Sequence, residues 1–382
     1  MNAEASRMNE FKRYRAWAEI SRDAILYNLA LVRKRTGAKV MCVIKGNAHG
    51  HGAAACGRIL EEGGADAFAV ACLPEGIELR EAGIRKPILI LGWTHPDSVK
   101  ELQRFDLTQS ILEEDYAKAL DEAFRGSGGK LPVHIKLDTG MTRTGIDAQR
   151  DPRKAAEAIL RIHALPHLDV QGLFTHYAAS DMPEKDDYTA WQLSNYKAVL
   201  SALEDLHFDK KVVHHTGNSA AILHHPDTWF DMVRAGIMLY GLYPTDPDTA
   251  DYRLERALAL KARVAQVREI PAGTCVSYGC TFTSEQTMRV AVVTAGYADS
   301  YPRLLSNRGA WAMIRGRKCP QIGRVCMDMT MFDVSGTNVQ EGDEAILYGR
   351  GGMPLEEVAR LTGSNNIEQT CLLTQRVTRI YV

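Results

Sequence analysis

The sequence predicts an α/β chain: an N-terminal (β/α)8 barrel of the TIM type followed by a C-terminal, mostly-β domain. Three observations carry this. Between residues 40 and 239 short apolar runs alternate with amphipathic stretches. The runs are nearly continuous in apolar residues, as in VMCVI and ILIL, which is what a parallel sheet covered on both faces requires. After residue 244 the helical patterning stops, and short extended segments are separated by the turn strings PAGT, SNRG and GRGG. The length, 382 residues, suits two domains at about 150 residues each.

The elements follow in order. Apolar runs predict strands at 40–45, 67–71, 87–92, 107–111, 133–137, 170–175, 212–215 and 232–239. Amphipathic stretches predict helices at 53–62, 74–82, 96–104, 113–124, 152–163, 188–206 and a short one at 219–223. Eight strands alternating with helices fit barrel closure. An open doubly wound sheet is the alternative, and no GxGxxG turn follows the first strand to favour it. Further strands are expected at 253–270, 276–283, 288–295, 311–314, 319–325 and 329–334, with 246–252 as linker. The domains are thus expected at 15–244 and 245–382, with residues 1–18 a candidate addition to the second.

Composition narrows the function classes. Lys+Arg is 46 and Asp+Glu 47, a net charge of −1, so no basic excess drives binding to nucleic acid or an anionic membrane. No apolar run is long enough to span a bilayer, and the polar N-terminus lacks the apolar core of a secretory signal. The eight cysteines include no CxxC pair, and several lie in apolar runs. They read as buried small side chains of a cytoplasmic protein rather than as disulfides or zinc ligands.

Barrel active sites lie where strands end, so the polar residues closing each run are the candidates. Lys45 closes VMCVIK and precedes GNAHGHG. A lysine held there can lose its proton by desolvation and condense with a carbonyl; an ordinary solvated lysine is the bland alternative. VHIKLDTGMTRTG brings Lys136, Asp138 and Arg143, and GLFTHYAASD brings His176. VVHHTGNSAA carries His215, Asn218 and Ser219 into a short helix, a place suited to phosphate. DMVRAGIMLYG adds Arg234 and Gly236. Each is weak alone, since a strand-end histidine is commonly structural, but together they ring one end of one barrel.

In this order the strings VIKGNAHGHG, KLDTGMTRTG, HHTGNSAA, MVRAGIMLYG, VSYG, GYADSYPR, GRVCMDM and RVTRIY resemble the alanine racemase family. The resemblance runs from AWAEI near residue 16 to the C-terminus. It implies a pyridoxal 5'-phosphate (PLP) enzyme with a barrel-plus-β-domain fold. It also implies a cytoplasmic role: supplying D-alanine for the cell wall.

The resemblance also implies roles. Lys45 would hold the cofactor and serve as one of two bases, and Tyr278 of VSYG as the other. His176 would stand against that tyrosine, whose ordinary pKa near 10 is too high for work at neutrality. Arg234 would face the pyridine nitrogen. His215, Asn218, Ser219, Gly236 and Ile237 would join the cofactor site, with Ser219 and the backbone of Gly236 and Ile237 cradling the phosphate. Arg143 and the backbone of Met327 would take the substrate carboxylate. Lys136 matches a lysine carbamylated in many members, Asp328 a supporting residue and Tyr297 an entryway tyrosine. A head-to-tail homodimer would place Tyr278, Met327 and Asp328 at the neighbour's cofactor.

Two positions depart from the pattern. His49 stands where the string KxNAYGHG has tyrosine, and Ile367 stands in NIE where the family usually has NYE, a tyrosine that contacts phosphate. Both bear on cofactor affinity and on selectivity between alanine and serine. Two other classes compete. One is a metal-dependent amidohydrolase, suggested by the pair His49 and His51. The other is a PLP-binding regulatory protein, which would lack Lys45 or Tyr278. No metal is expected.

Overall fold

In the computed structural model the described residues are 13–244 and 252–382. They form two compact units, one of residues 25–255 and the other of the described residues before 25 and after 255. The expected linker at 246–252 lies, Tyr252 apart, outside the described residues.

The strand AWAEI falls inside the range 15–244 expected for the barrel and overlaps residues 1–18, the candidate addition to the second domain; it lies in the second unit. This strand, β1 (Ala16–Ile20), pairs antiparallel with β11 (Leu258–Ile270) and parallel with β19 (Thr378–Tyr381). The sheet bonds outweigh closeness in sequence.

The larger unit is a parallel sheet of eight main strands. These are β2 (Lys39–Val43), β3 (Ala67–Val70), β4 (Ile88–Ile90), β5 (Thr108–Ile111), β6 (Leu131–Asp138), β8 (Leu168–Phe174), β9 (Val213–His215) and β10 (Met232–Ala235). The short β7 (Ile146–Asp147) pairs only with β6. The order β10-β2-β3-β4-β5-β6-β8-β9 leaves β9 and β10 to meet. They do so through Asp231 N–H to His214 O at 3.2 Å and Arg234 N–H to Gly217 O at 2.8 Å. The eight strands foreseen from sequence therefore form the expected barrel.

Period-two alternation sorts the strand residues. Met41, Val43, Ala67, Ala69, Leu89 and Met232 pack as one apolar cluster inside. Continuing the same parity brings Arg234 inward one layer above Met232. The helices between strands are amphipathic: Pro152–His163 buries Ala155, Ala156, Ala158, Ile159 and Ile162. Pro152 at its start and the Asp151 side chain, accepting from Lys154 N–H at 2.9 Å, fix where it begins.

In the smaller unit β11 pairs with β14 (Met288–Val293) and β18 (Glu344–Gly349). With β15 (Trp311–Ile314), β16 (Arg317–Ile322) and β17 (Thr330–Asp333) these strands close a ring, since β14 pairs with both β17 and β11. Closure removes sheet edges that would otherwise template association. The helices Leu355–Thr362 and Asn366–Cys371 complete it.

Two expectations fail here. The single strand expected at 276–283 is two short ones, β12 (Cys275–Val276) and β13 (Phe282–Thr283). Between them Ser277, Gly279 and Cys280 take φ of 67°, 74° and 47°, a conformation no strand tolerates. The cysteines are not all free either. Cys275 and Cys280 form a disulfide, their Cα atoms 5.1 Å apart, because the turn folds the chain back within bonding reach. Cys42, Cys72, Cys319 and Cys326 are free thiols.

Candidate active site

Lys45 leads off a tight left-handed turn just beyond β2. Gly46, Asn47, Ala48 and His49 have φ of 62°, 54°, 55° and 50°. Successive non-glycine residues in this region store backbone strain, a cost usually kept for a functional reason. The turn is braced at both ends. Glu75 accepts from Gly46 N–H at 2.6 Å and from Ala71 N–H at 2.7 Å. Asn47 Oδ1 accepts from Ala53 N–H at 2.7 Å.

The turn buries His49. Its Nδ1 has no hydrogen-bond partner in the structure, and burial, with His51 and Lys45 adding, pushes its pKa down to about 3. The ring lies beside Gly236: a Cβ built there would meet Val43 Cβ at 3.6 Å, Ser219 Oγ at 3.7 Å and His49 Cε1 at 3.8 Å. Ser219 Oγ accepts from Gly236 N–H at 3.0 Å, and Asn218 caps the helix Ser219–His224 by accepting from Ala221 N–H at 2.9 Å. Gly236 leads into the short helical turn Ile237–Tyr240. His49, Ser219, Gly236 and Ile237 thus converge, leaving a concavity at a residue without a side chain.

Arg234 is the hub of this end, only 3% exposed. Its Nη1 donates to His215 O and to His215 Nδ1 at 3.3 Å. Its Nη2 donates to Thr175 O at 2.7 Å, Thr216 O at 3.1 Å and His176 Nδ1 at 3.2 Å. Burial lowers its pKa to about 10, so it stays charged at neutrality. Arginine only donates, so the Nδ1 atoms of His215 and His176 accept and their protons sit on Nε2. His215 Nε2 then donates to His134 Nδ1 at 2.8 Å. Burial holds His215 and His176 well below the ordinary histidine pKa, and Arg234 adds to both shifts.

Lys136, 5% exposed near the end of β6, donates from Nζ to Thr144 Oγ1 at 2.6 Å. Burial lowers its pKa to about 8, with Arg143 and Arg234 next in effect. Arg143 stands exposed in the following loop. Asp138 shapes that loop by accepting from Gly140, Met141 and Thr142 N–H groups at 3.1, 3.0 and 2.9 Å. With its carboxylate turned to backbone, this end of the barrel is cationic and suited to anions.

The sequence candidates of the smaller unit gather on three tied loops. Ser277 Oγ donates to Arg324 O at 2.6 Å. Tyr297 and Ala298 N–H donate to Cys326 O and Met327 O, both at 3.0 Å. Gly296 permits this approach: a Cβ there would fall 2.2 Å from Cys326 O. Tyr278, Met327 and Tyr297 stand out at 71%, 51% and 42% exposure. Asp328 is held by Arg376 at 2.6 Å, while Arg15 and Arg376 both pair with the buried Asp299. Ile367, part-buried, sits in the helix Asn366–Cys371.

Sequence reasoning missed Thr144, His134 and Tyr240, on which His51 stacks at 4.4 Å. Only His134, in phase with Lys136 on β6, left a signal. The paired histidines of the competing metal reading diverge, since His51 Nδ1 turns to the carbonyls of Ala48 and His49 at 3.0 and 3.1 Å. No group of three or more His, Cys, Asp or Glu that could hold a metal occurs among the described residues.

The pattern described as "Alanine racemase, N-terminal domain" matches residues 20–244, and "Alanine racemase, C-terminal domain" matches 257–381. The chain belongs to the alanine racemase family. It is 41% identical over 370 residues to the alanine racemase of Desulforamulus reducens, covering 96% of this chain and 98% of that one. It is 41% identical over 373 residues to that of Carboxydothermus hydrogenoformans, covering 96% and 99%. Among solved structures, alanine racemase from Clostridium difficile 630 superposes with a TM-score of 0.91 at 34% identity, covering 97% of this chain and 96% of that one. The Bacillus anthracis alanine racemase, solved with bound L-Ala-P, gives 0.87 at 32% identity, covering 96% and 95%. No helix among the described residues is long and apolar enough to cross a membrane.

Proposed function

We propose that this chain is a PLP-dependent racemase interconverting L- and D-alanine, acting in the cytoplasm as a homodimer and supplying D-alanine for peptidoglycan. The observation that supports it most is the convergence of Lys45, His49, Ser219, Gly236 and Arg234 at one cationic barrel end. The residues fit the cofactor. A buried His49 nitrogen lacks a partner next to the concavity at Gly236, where Ser219 Oγ and backbone of Gly236 and Ile237 would hold phosphate. Asn218 fixes that helix start, and His215 locks Arg234 in place.

Bound PLP withdraws electrons from the substrate Cα and so acidifies its hydrogen. Lys45 holds the cofactor and moves that proton at Nζ on one face. Tyr278 from the partner subunit moves it at the phenol oxygen on the other; a two-faced exchange needs both. His176, with its proton on Nε2, would donate to that oxygen and favour its ionised form. Arg234 offers N–H and cannot accept, so beside the ring nitrogen of bound PLP it would favour the unprotonated form. That would moderate electron withdrawal and limit side reactions.

Arg143 and the Met327 N–H bind the substrate carboxylate, and the Asp328–Arg376 pair steadies the Met327 loop. Neutral Lys136 amine, available because its pKa is near 8, can take up CO2. The carbamate is an anion that orients Arg143. Tyr297 lines the entry. Exposed Tyr278, Met327 and Tyr297 support the shared-site dimer, because exposed side chains on loops are available to a second chain.

Serine as a second substrate follows from Ile367 and His49, which replace two tyrosines. The test of the main reading is racemisation of purified PLP-loaded protein, followed by reductive trapping of the cofactor. Activity on alanine with cofactor fixed at Lys45 is expected. A colourless protein that turns over neither enantiomer overturns it.

A further inference from the structure

We propose that Cys275 and Cys280 are a thiol-reversible pair that positions Tyr278, so that the redox state of this disulfide sets the rate of the proton step at that tyrosine. The inference rests on the reading of Tyr278 as a base and extends it to regulation.

Four observations carry it. The disulfide closes a ring over residues 275–280 with Tyr278 inside it. Both cysteines are exposed in the single chain. Three residues of the ring, Ser277, Gly279 and Cys280, have positive φ. At the non-glycine Ser277 and Cys280 that geometry costs free energy and persists only under constraint. The turn is also held by Ser277 Oγ donating to Arg324 O, by Cys280 N–H reaching Ser277 O at 3.4 Å, by Asn307 Nδ2 donating to Thr281 Oγ1 at 2.9 Å and by the pairing of Val276 with Phe282, while Tyr278 is 71% exposed. The crosslink is the covalent brace that joins the two sides of this turn. Without it Cys280 is less constrained to the left-handed region, and Tyr278, two residues before it, can shift with it. Small misplacements of a reacting group are costly: about 1 Å can lose on the order of a hundredfold in rate.

The redox step balances as an exchange. A thiolate of a small dithiol attacks one cysteine sulfur, the Cys275–Cys280 bond breaks, and a mixed disulfide forms. The reagent's second thiolate displaces the enzyme sulfur. The dithiol ends oxidised, and Cys275 and Cys280 end as thiols after taking up two protons. In a reducing compartment the pair rests as dithiol, and oxidation restores the braced form. The braced form is the faster one.

The experiment uses the holoenzyme, equilibrated with dithiothreitol or its oxidised form. Thiols counted after denaturation should number six in the disulfide state and eight after reduction. The reduced enzyme should racemise about tenfold more slowly, with KM little changed. Hydrogen exchange at Cα should fall more from one enantiomer than from the other, because only the Tyr278 face is disturbed. A general loosening would slow both alike. The variant Cys275→Ser/Cys280→Ser should show the reduced rate and ignore dithiothreitol. Should it fail to fold, Tyr278→Phe serves, since it too should ignore dithiothreitol. The proposal is overturned if the count stays at six, if eight thiols leave the wild-type rate unchanged, if both exchanges fall equally, or if either variant responds as wild type does. Tyr278→Phe separates the two readings. At wild-type rate it removes the two-base reading. A slow Tyr278→Phe beside an unresponsive wild type removes only this one.

Discussion

The barrel end and the loops of the β-unit carry the proposed chemistry in opposite ways. At the barrel end the groups are buried and paired. Arg234 donates to three carbonyls and two histidines, Lys136 to Thr144, and burial has moved their pKa values. On the β-unit Tyr278, Met327 and Tyr297 stand exposed on loops tied mainly through backbone. The first arrangement fixes an electrostatic environment before any ligand arrives. The second presents side chains at the surface. Pre-organised charge and delivered side chain are separate tasks, and each is given the rigidity it needs.

The hardest way to break this comparison is to remove the group the barrel end surrounds. Lys45→Ala should abolish racemisation in both directions, a loss on the order of a millionfold for a group that both holds cofactor and moves a proton. Assay of L-to-D and D-to-L conversion checks it, and full activity would remove the assignment. On the β-unit, Tyr278→Phe should cost about a hundredfold to ten-thousandfold, the range of one general base. Cofactor retention should not change. Exchange at Cα should fall more with L- than with D-alanine, and equal falls would count against Tyr278 as the base for the L enantiomer. Mixing Lys45→Ala with Tyr278→Phe subunits should restore about one competent site per mixed dimer. Mixed dimers without activity would place both residues in one chain's site.

The contrast also explains what was legible in sequence. The barrel strands were legible because burial on both faces leaves long apolar runs, and Lys45, Lys136, His176 and Arg234 because each ends or follows one. The strand 16–20 was not: its partners β11 and β19 lie hundreds of residues away, and nothing local marks them. The break at 277–280 was hidden because alternation in CVSYGCTF suits a strand, while positive φ at serine and cysteine is set by tertiary contacts. Spacing gave no hint of the disulfide, since CxxxxC becomes bondable only once that turn exists. Thr144 is second to a residue already chosen and visible only when distances are, whereas His134 lies in phase with Lys136 on β6.

A smaller effect sharpens the barrel side. The pKa of Lys136 is depressed from 10.5 to about 8 in the fold. Between those values the unfolded chain binds more protons than the folded one, so stability rises with pH from about 8 to about 10.5. Below pH 8 both states carry the charge, and the fold bears the whole cost, up to about 3 kcal/mol at 1.36 kcal/mol per unit. In CO2-free buffer Lys136→Met should flatten that rise and raise stability at pH 7. Denaturant melts at pH 7 and pH 10 check it, and identical pH dependence in both proteins would refute the burial argument. Bicarbonate should stabilise wild type and leave the variant unmoved.

The smallest expected effect concerns the two departures from the family's tyrosines. A phenol at position 367 would donate to the cofactor phosphate, and a hydrogen bond to a charged group contributes roughly 1.5–3 kcal/mol. Ile367→Tyr should therefore tighten PLP retention about tenfold to a hundredfold. His49 decides where in that range the gain falls. Its buried Nδ1 has no partner, its Cε1 lies beside Gly236, and at a pKa near 3 the ring is neutral, with one proton to donate. If that proton already serves the phosphate, the gain from Ile367→Tyr should be larger in a His49→Ala background than in wild type, as expected for residues sharing one acceptor. Equal gains would mean that His49 plays no part. On the proposed reading, the same substitution would also narrow the space near the substrate's β-carbon. An apolar pocket rejects an added hydroxyl by only about a hundredfold, and the smaller Ile367 lowers even that barrier. Wild type should thus racemise serine measurably beside alanine, and Ile367→Tyr should lower the serine-to-alanine ratio of kcat/KM. Tighter PLP retention with that ratio unchanged would tie residue 367 to the phosphate alone and leave selectivity to the Arg143 loop.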